Sequence, residues 1–328
     1  MVRTRLTEVL HVEHPVMLAG MGGVAYSALT AAVSNAGGYG CLGASTMTTS
    51  QLVDELAATR ALTTRPFGVD LLTAFPEHLL AHVEIAIEGG ASAFVAGLGV
   101  PRPAIDLCHD HGVLVVSLCG TVEHARRARD AGVDVVVAQG TEAGGHTGRI
   151  ATLPLVPMIV DAVGDTVPVV AAGGIFDGRG LAAALALGAD GVWVGTRFIA
   201  TVEARTVAGF KEAIVAADER ATVISRAFTG KTLRALRNDT TDRYERDPTL
   251  LRPFPEQLFV ALGDGTFHLG GDERTPGVDP HREVYPAGQS VGAIREVVPA
   301  ADVVRAMVRD AHDTLTRLSR ASRGPRDN

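Results

Sequence analysis

The chain has 328 residues, 46% of them hydrophobic and 20% charged, with a formal net charge of −7. That balance argues against a general nucleic-acid binder. No run of about 18 apolar residues is free of Gly, Pro or charge, so no membrane span is expected.

The three cysteines, Cys41, Cys108 and Cys119, are odd in number and lack metal-ligand spacing. With an N-terminal MVRTRLTEVLHVEHP that has no signal-peptide core, they fit a reduced, cytoplasmic protein without a bound metal.

From residue 15 to about 200, short apolar runs alternate with segments of helical period. The predicted strands are Val16–Ala19, Gly40–Gly43, Phe67–Leu71, Ala93–Ala96, Val113–Leu118, Val135–Ala138, Val169–Ala172 and Val192–Gly195. Thr48 with Gln51 forms a capping box, Thr121 and Asp177 are N-caps, and Pro76 and Pro101 suit first helical turns. Helices are expected to close on Gly37, Gly89, Gly112, Gly132 and Gly188. The strands read as continuous apolar runs, as parallel strands covered on both faces do. Eight strand–helix units predict a closed fold of α/β class, a TIM (β/α)8 barrel over residues 1–200. An open doubly wound sheet is disfavoured because no G-x-G-x-x-G follows the first strand.

Beyond Arg197 the pattern changes. Glu203–Ala217 and Arg220–Arg237 read as helices, so residues 201–286 are expected to be a mostly helical insertion, or lid, after strand 8. Gly263–Pro286 is a long Gly-, Asp- and Pro-rich loop with lid character. A return turn (AGQSVG) and a terminal helix occupy 287–318, and 319–328 read as a disordered tail.

In such barrels the site lies at the C-terminal ends of the strands. That rule selects the Gly20–Gly23 turn, Asp70, the loop from Gln139 to His146, Gly173-Gly174 and Gly195-Thr196. The last two pairs end buried strands in bare backbone, whose N–H groups can hold a phosphate. His146 is a reactive side chain beside that cradle. Glu142 is expected to orient its loop, and Cys119 to be a buried small apolar residue. Arg149 reads either as a contact for an anionic substrate or as a surface residue.

In order, the turn at Ala19–Gly23, FGVDL at Phe67–Leu71, QGTEAGGHTG, PVVAAGGI, VGTRF and the late AGQ turn span residues 15 to about 292. Together they make the chain resemble the nitronate monooxygenases (formerly 2-nitropropane dioxygenases), FMN-dependent TIM-barrel oxidoreductases. The resemblance implies that Gly173, Gly174, Gly195 and Thr196 hold the FMN phosphate. Ala19, Gly20 and Met21 would lie against the isoalloxazine, with Asp70, Gln139, Gly144, Gly145 and Gln289 completing the cofactor site. His146 would be the catalytic residue, giving a hydrogen bond or positive charge to a nitronate, or removing the α-proton of a nitroalkane. The partners implied are a nitronate or nitroalkane and O2, and a homodimer is compatible with the pattern. The family often carries Asn where Asp70 stands, and a carboxylate there disfavours a reduced, anionic flavin unless a cation pairs with it. The same architecture serves NAD(P)H-dependent FMN reductases of enoyl thioesters or quinones, which is the alternative. A non-redox phosphate-binding barrel is a third reading.

Overall fold

The computed structural model describes residues 2–73, 78–97 and 99–321. Pro76 and the tail beyond Ala321 lie outside the described residues. The strands in chain order are β1 (Val16–Leu18), β2 (Gly40–Gly43), β3 (Phe67–Leu72), β4 (Ala93–Gly97), β5 (Leu114–Cys119), β6 (Val135–Gln139), β7 (Gly145–His146), β8 (Val169–Ala172) and β9 (Gly191–Val194). All but the two-residue β7 form one parallel sheet in the order β1-β9-β8-β6-β5-β4-β3-β2. A parallel bridge between Met17 and Tyr39 joins its two ends. There Leu18 N donates to Tyr39 O and Tyr39 N to Val16 O, both at 2.9 Å. The fold is the (β/α)8 barrel expected.

Alternate residues of each strand enter different cores. Met17, Cys41, Val95, Val137, Val170 and Trp193 fill the barrel interior, joined from below by Leu6 and Leu10 at the N-terminal helix Arg5–Val9. Val16, Leu18, Val69, Phe94, Val136 and Val192 pack outward under the helices. Both faces are therefore buried, which is why the strands read as unbroken apolar runs. The Thr48 capping box and the Thr121 and Asp177 caps form. Gly37, Gly112, Gly132 and Gly188 take positive φ, but at the fourth helix it is Gly90 (φ 79°), not Gly89, that does so. Gly89 still ends that helix in a right-handed conformation, with its turn closing one residue later.

The segment after the barrel departs from expectation. Glu203–Ala217 is helical only over Phe210–Ala216. Arg220–Arg237 is not a helix but an antiparallel hairpin of β10 (Thr222–Ser225) and β11 (Leu233–Leu236). The β-branched residues of TVIS favour strand, and Gly230 takes φ 82° in the connecting turn. β11 also pairs with β7, giving a three-stranded sheet, β10-β11-β7. This sheet and the helices Asp239–Arg246 and Glu256–Gly263 surround a small core containing Phe228, Leu233, Ala235, Tyr244 and Val284. The loop after Gly263 is tied down: buried Glu283 accepts from His268 N at 2.8 Å and faces His268 Nδ1 at 2.6 Å. Arg205 also donates to the carbonyls of Gly270 and Gly271. The terminal helix Ala300–Ala321 takes in the first three residues of the segment read as a tail and packs against Gly178–Ala186.

Backbone approaches backbone closely where β2 meets the first βα turn. A Cβ on Gly43 would lie 2.2 Å from the backbone C and O of Met21. Gly43→Ala is expected to lower the unfolding free energy by about 1–3 kcal/mol or more. Gly263→Ala, whose added Cβ would meet nothing within 4 Å, should be close to neutral. Urea denaturation of the two variants checks the contrast.

Candidate active site

A cavity of about 1380 Å³ opens at the C-terminal mouth of the barrel. Ala19, Gly20, Met21, Asp70, Gln139, Gly144, Gly145, His146, Gly173, Gly174, Gly195 and Thr196 all line it. Of the residues expected in the site, Gln289 stands apart. Its side chain is exposed and does not line the cavity, although Gly288 and Ser290 on either side do.

One wall is bare backbone. Gly173 and Gly174 lie at φ 104° and 73° after β8. Among the described residues, the N–H groups of Gly173, Gly174 and Thr196 find no backbone acceptor. Thr196 Oγ1 accepts from Gly288 N at 2.9 Å, which leaves its own proton to donate. Several unspent donors on one rim fit a phosphate, since each would otherwise face the cavity unpaired.

His146 is positioned from four directions. Its backbone pairs with Leu233 of β11. Its carbonyl accepts from Gln139 Nε2 at 3.0 Å, so the Gln139 amide N–H holds the loop. Arg234 Nε donates to Thr141 O at 2.9 Å, tying the same loop to the hairpin. The ring Nε2 lies 3.1 Å from Thr229 Oγ1. The Thr229 hydroxyl also lies 3.3 Å from Lys231 O; where it donates to that carbonyl, its lone pair is open to an Nε2 proton. Burial, helped by the charge of Lys231, pushes the imidazole pKa down and keeps the ring neutral near pH 7. Glu142 orients its loop, as expected, by accepting from Thr152 N at 2.9 Å and Thr152 Oγ1 at 2.8 Å.

Asp70, at the mouth of β3, overlies the first turn: a Cβ on Gly20 would lie 2.1 Å from its Cβ. Among the described residues its carboxyl has no hydrogen-bond or ion-pair partner, and it faces the cavity. Burial alone pushes its pKa well above the usual carboxylate range. Close behind, burial and then the Asp70 charge push the Cys41 thiol up as well. A raised carboxyl pKa weakens the objection that a negative charge would oppose a reduced flavin. Cys119 is buried, its thiol pushed up to about 11 mainly by burial.

Sequence reasoning missed Thr229, Lys231 and Arg226, which line the cavity from the β10–β11 turn. Reading that segment as a helix hid them, and the β-branched TVIS run was the available signal. Among the described residues, no group of three or more His, Cys, Asp or Glu side chains could hold a metal, and no helix is long and apolar enough to cross a membrane.

A closed barrel with a rim of unspent backbone donors and a positioned histidine at its mouth defines a TIM-barrel enzyme. The profile of the family described as nitronate monooxygenase matches residues 3–85 and 78–310, and the chain belongs to that family of oxidoreductases. A curated relative from Mycobacterium tuberculosis, named (3aS,4S,5R,7aS)-5-hydroxy-7a-methyl-1-oxo-octahydro-1H-indene-4-carboxyl-CoA dehydrogenase, is 40% identical over 74% of this chain and 69% of its own. FabK from Thermotoga maritima superposes with a TM-score of 0.85 at 34% identity, covering 97% of this chain and 99% of its own. A nitroalkane oxidase from Streptomyces ansochromogenes superposes with a TM-score of 0.81 at 31% identity, covering 95% and 99%.

The raised pKa of Asp70 sets a pH dependence. The native state keeps a proton that the unfolded chain loses near pH 4, so stability is highest below that and falls as pH rises toward the native pKa. Asp70→Asn should therefore unfold at higher urea than the wild type at neutral pH, with the gap closing as pH falls below about 4. Denaturation of the flavin-stripped proteins at several pH values reads this out; a pH-independent gap would remove burial of the carboxyl as its cause.

Proposed function

We propose that the protein is an FMN-dependent oxidoreductase that oxidises alkyl nitronates with O2, releasing nitrite and a carbonyl product. The observation that carries this reading is the neutral, positioned imidazole of His146 in the same cavity as the free N–H groups of Gly173, Gly174 and Thr196. The FMN phosphate would sit on those groups and Gly195. Ala19, Gly20 and Met21 would face the ring, where Gly20 permits close approach. Gly144 and Gly145 would border it from the β6 loop, and Asp70 and the free carbonyl oxygen of the Gln139 side chain could reach the ring or the ribityl edge. Gln289 would contribute through the backbone of its turn alone. The bound flavin supplies electron transfer from the substrate to O2.

The chain's own residues bind and prepare the substrate. Lys231 and Arg226, on the cavity rim, raise the local potential and draw in an anion. Being neutral, His146 meets a nitronate as a hydrogen-bonding partner rather than as a counter-charge. With a neutral nitroalkane, in the tautomer that donates Nε2–H to Thr229, its Nδ1 would take the α-proton. Residues of the hairpin and of the loop after Gly263, among them Leu233, Phe267 and Leu269, line the cavity and would limit the entry of water.

A second reading, an NAD(P)H-dependent FMN reductase of an enoyl thioester or a quinone, is favoured by cavity size. At about 1380 Å³ the space exceeds the roughly 300–1,000 Å³ of ordinary ligand pockets, leaving room for a second large ligand beside FMN. The likeness to a CoA dehydrogenase points the same way.

His146→Ala should retain FMN, seen by its visible absorbance, but lose about 10²–10⁴-fold in kcat/KM for neutral nitroalkanes. A smaller loss is expected for preformed nitronates. In the wild type, kcat/KM for nitroalkanes should fall with acid below about pH 6.5, where the depressed imidazole pKa lies. Oxygen uptake with nitrite release measures both; full turnover in His146→Ala would remove the histidine from the mechanism.

A further inference from the structure

Beside the main cavity lies a second groove of about 430 Å³, lined in part by Thr141, Arg149, Ser225 and Arg226. It shares Gly148, Arg226 and Thr232 with the main cavity, so the two spaces are contiguous. Among the described residues, no carboxylate lines the groove. Among the described residues, Arg149 and Arg226 make no ion pair and no side-chain hydrogen bond, and the hydroxyls of Thr141 and Thr232 are likewise unspent. Other exposed arginines of this chain, such as Arg65, Arg102, Arg127 and Arg220, pair with carboxylates. Two unpaired guanidinium groups converging on one groove of a protein with net charge −7 make a local anion site, and the guanidinium fork suits phosphate oxygens.

We infer that this groove holds the phosphate groups of a nucleotide-bearing substrate or co-substrate whose reactive end enters the main cavity. The strand register sets the required length. Ser225 pairs with Leu233, and Leu233 with His146. Two inter-strand spacings separate the groove from the histidine, about 10 Å. A small nitronate cannot span that distance, whereas a coenzyme A thioester or a nicotinamide dinucleotide can. Lys231, whose Nζ lies 4.2 Å from the centre of the Phe254 ring, lines the main cavity. The glycine rim after β8 and β9 belongs to a different wall, so the groove does not duplicate the proposed FMN phosphate site. Only the destination of the reactive end rests on the redox reading of the cavity.

Calorimetric titration of the flavin-loaded protein with coenzyme A, NADPH, NADH and inorganic phosphate tests the inference. Coenzyme A or NADPH should bind, more weakly at high salt, and inorganic phosphate should compete. The Arg149→Ala/Arg226→Ala double variant should lose roughly tenfold or more in affinity per arginine. The lysine pair Arg149→Lys/Arg226→Lys should recover part of that loss, and Arg305→Ala, on the terminal helix, should lose nothing. Coenzyme A binding that depends on the arginines identifies a thioester substrate; NADPH binding that depends on them identifies a reductant. If no nucleotide binds, or if the double variant binds as tightly as the wild type, the groove is not the site. Because binding is read without turnover, a colourless protein that still showed the arginine dependence would overturn the flavin reading and leave this one standing.

Discussion

The pairing of β7 with β11 is the constraint on which the site depends. β7 is two residues long and cannot hold itself in place. It is ordered because Leu233 and Arg234 of the hairpin supply its ladder, and because Gln139 and Arg234 fasten the loop on either side. Without the hairpin, His146 would sit on a free loop at the barrel mouth. With it, the imidazole is fixed between a barrel wall and an inserted sheet, and the Thr229 hydroxyl holds its Nε2 edge. The barrel thus provides a rigid rim and the insertion provides the precision.

Electrostatics within the cavity follow from burial more than from charge pairing. Asp70 is pushed toward its neutral acid and His146 toward its neutral base by the same loss of water. Burial therefore works against charge on both. The unpaired positive charges lie further out, on Lys231, Arg226 and Arg149, where solvent carries part of the cost. Anionic ligands would meet attraction at the entrance and a neutral, hydrogen-bonding interior beyond it.

The long loop after Gly263 contains several turns, yet its ends are held. The buried Glu283 carboxylate binds His268, and Arg205 both lies over the Tyr26 ring and holds the carbonyls of Gly270 and Gly271. Gly23 at φ 79° lets the Gly270 backbone approach, since a Cβ there would lie 2.6 Å from Gly270 N. These contacts join the first βα turn to the cover, so the mouth of β1 and the loop above it form one packed unit.

What the sequence determined by itself was the barrel. Its eight apolar runs, the Thr48, Thr121 and Asp177 caps and most of its helix-ending glycines are local signals, each set by residues within a few positions of one another, and they recur often enough to count. The glycine pairs at the strand ends and the GGH of the sixth loop were legible for the same reason, because parallel strands deliver their trailing loops to one end of the barrel. The hairpin was not legible: Arg220–Arg237 carries Ala, Leu and Arg that suit a helix as well, and its strand pairing is decided by β7, some ninety residues earlier in the chain. Nor could sequence say that Gln139 would spend its amide N–H on the carbonyl of His146, that Gln289 would face outward, or that Arg149 and Arg226 would share a groove. Only the tertiary structure decided those points, because each depends on contacts between distant segments and on which polar groups are left without a partner once the chain has packed.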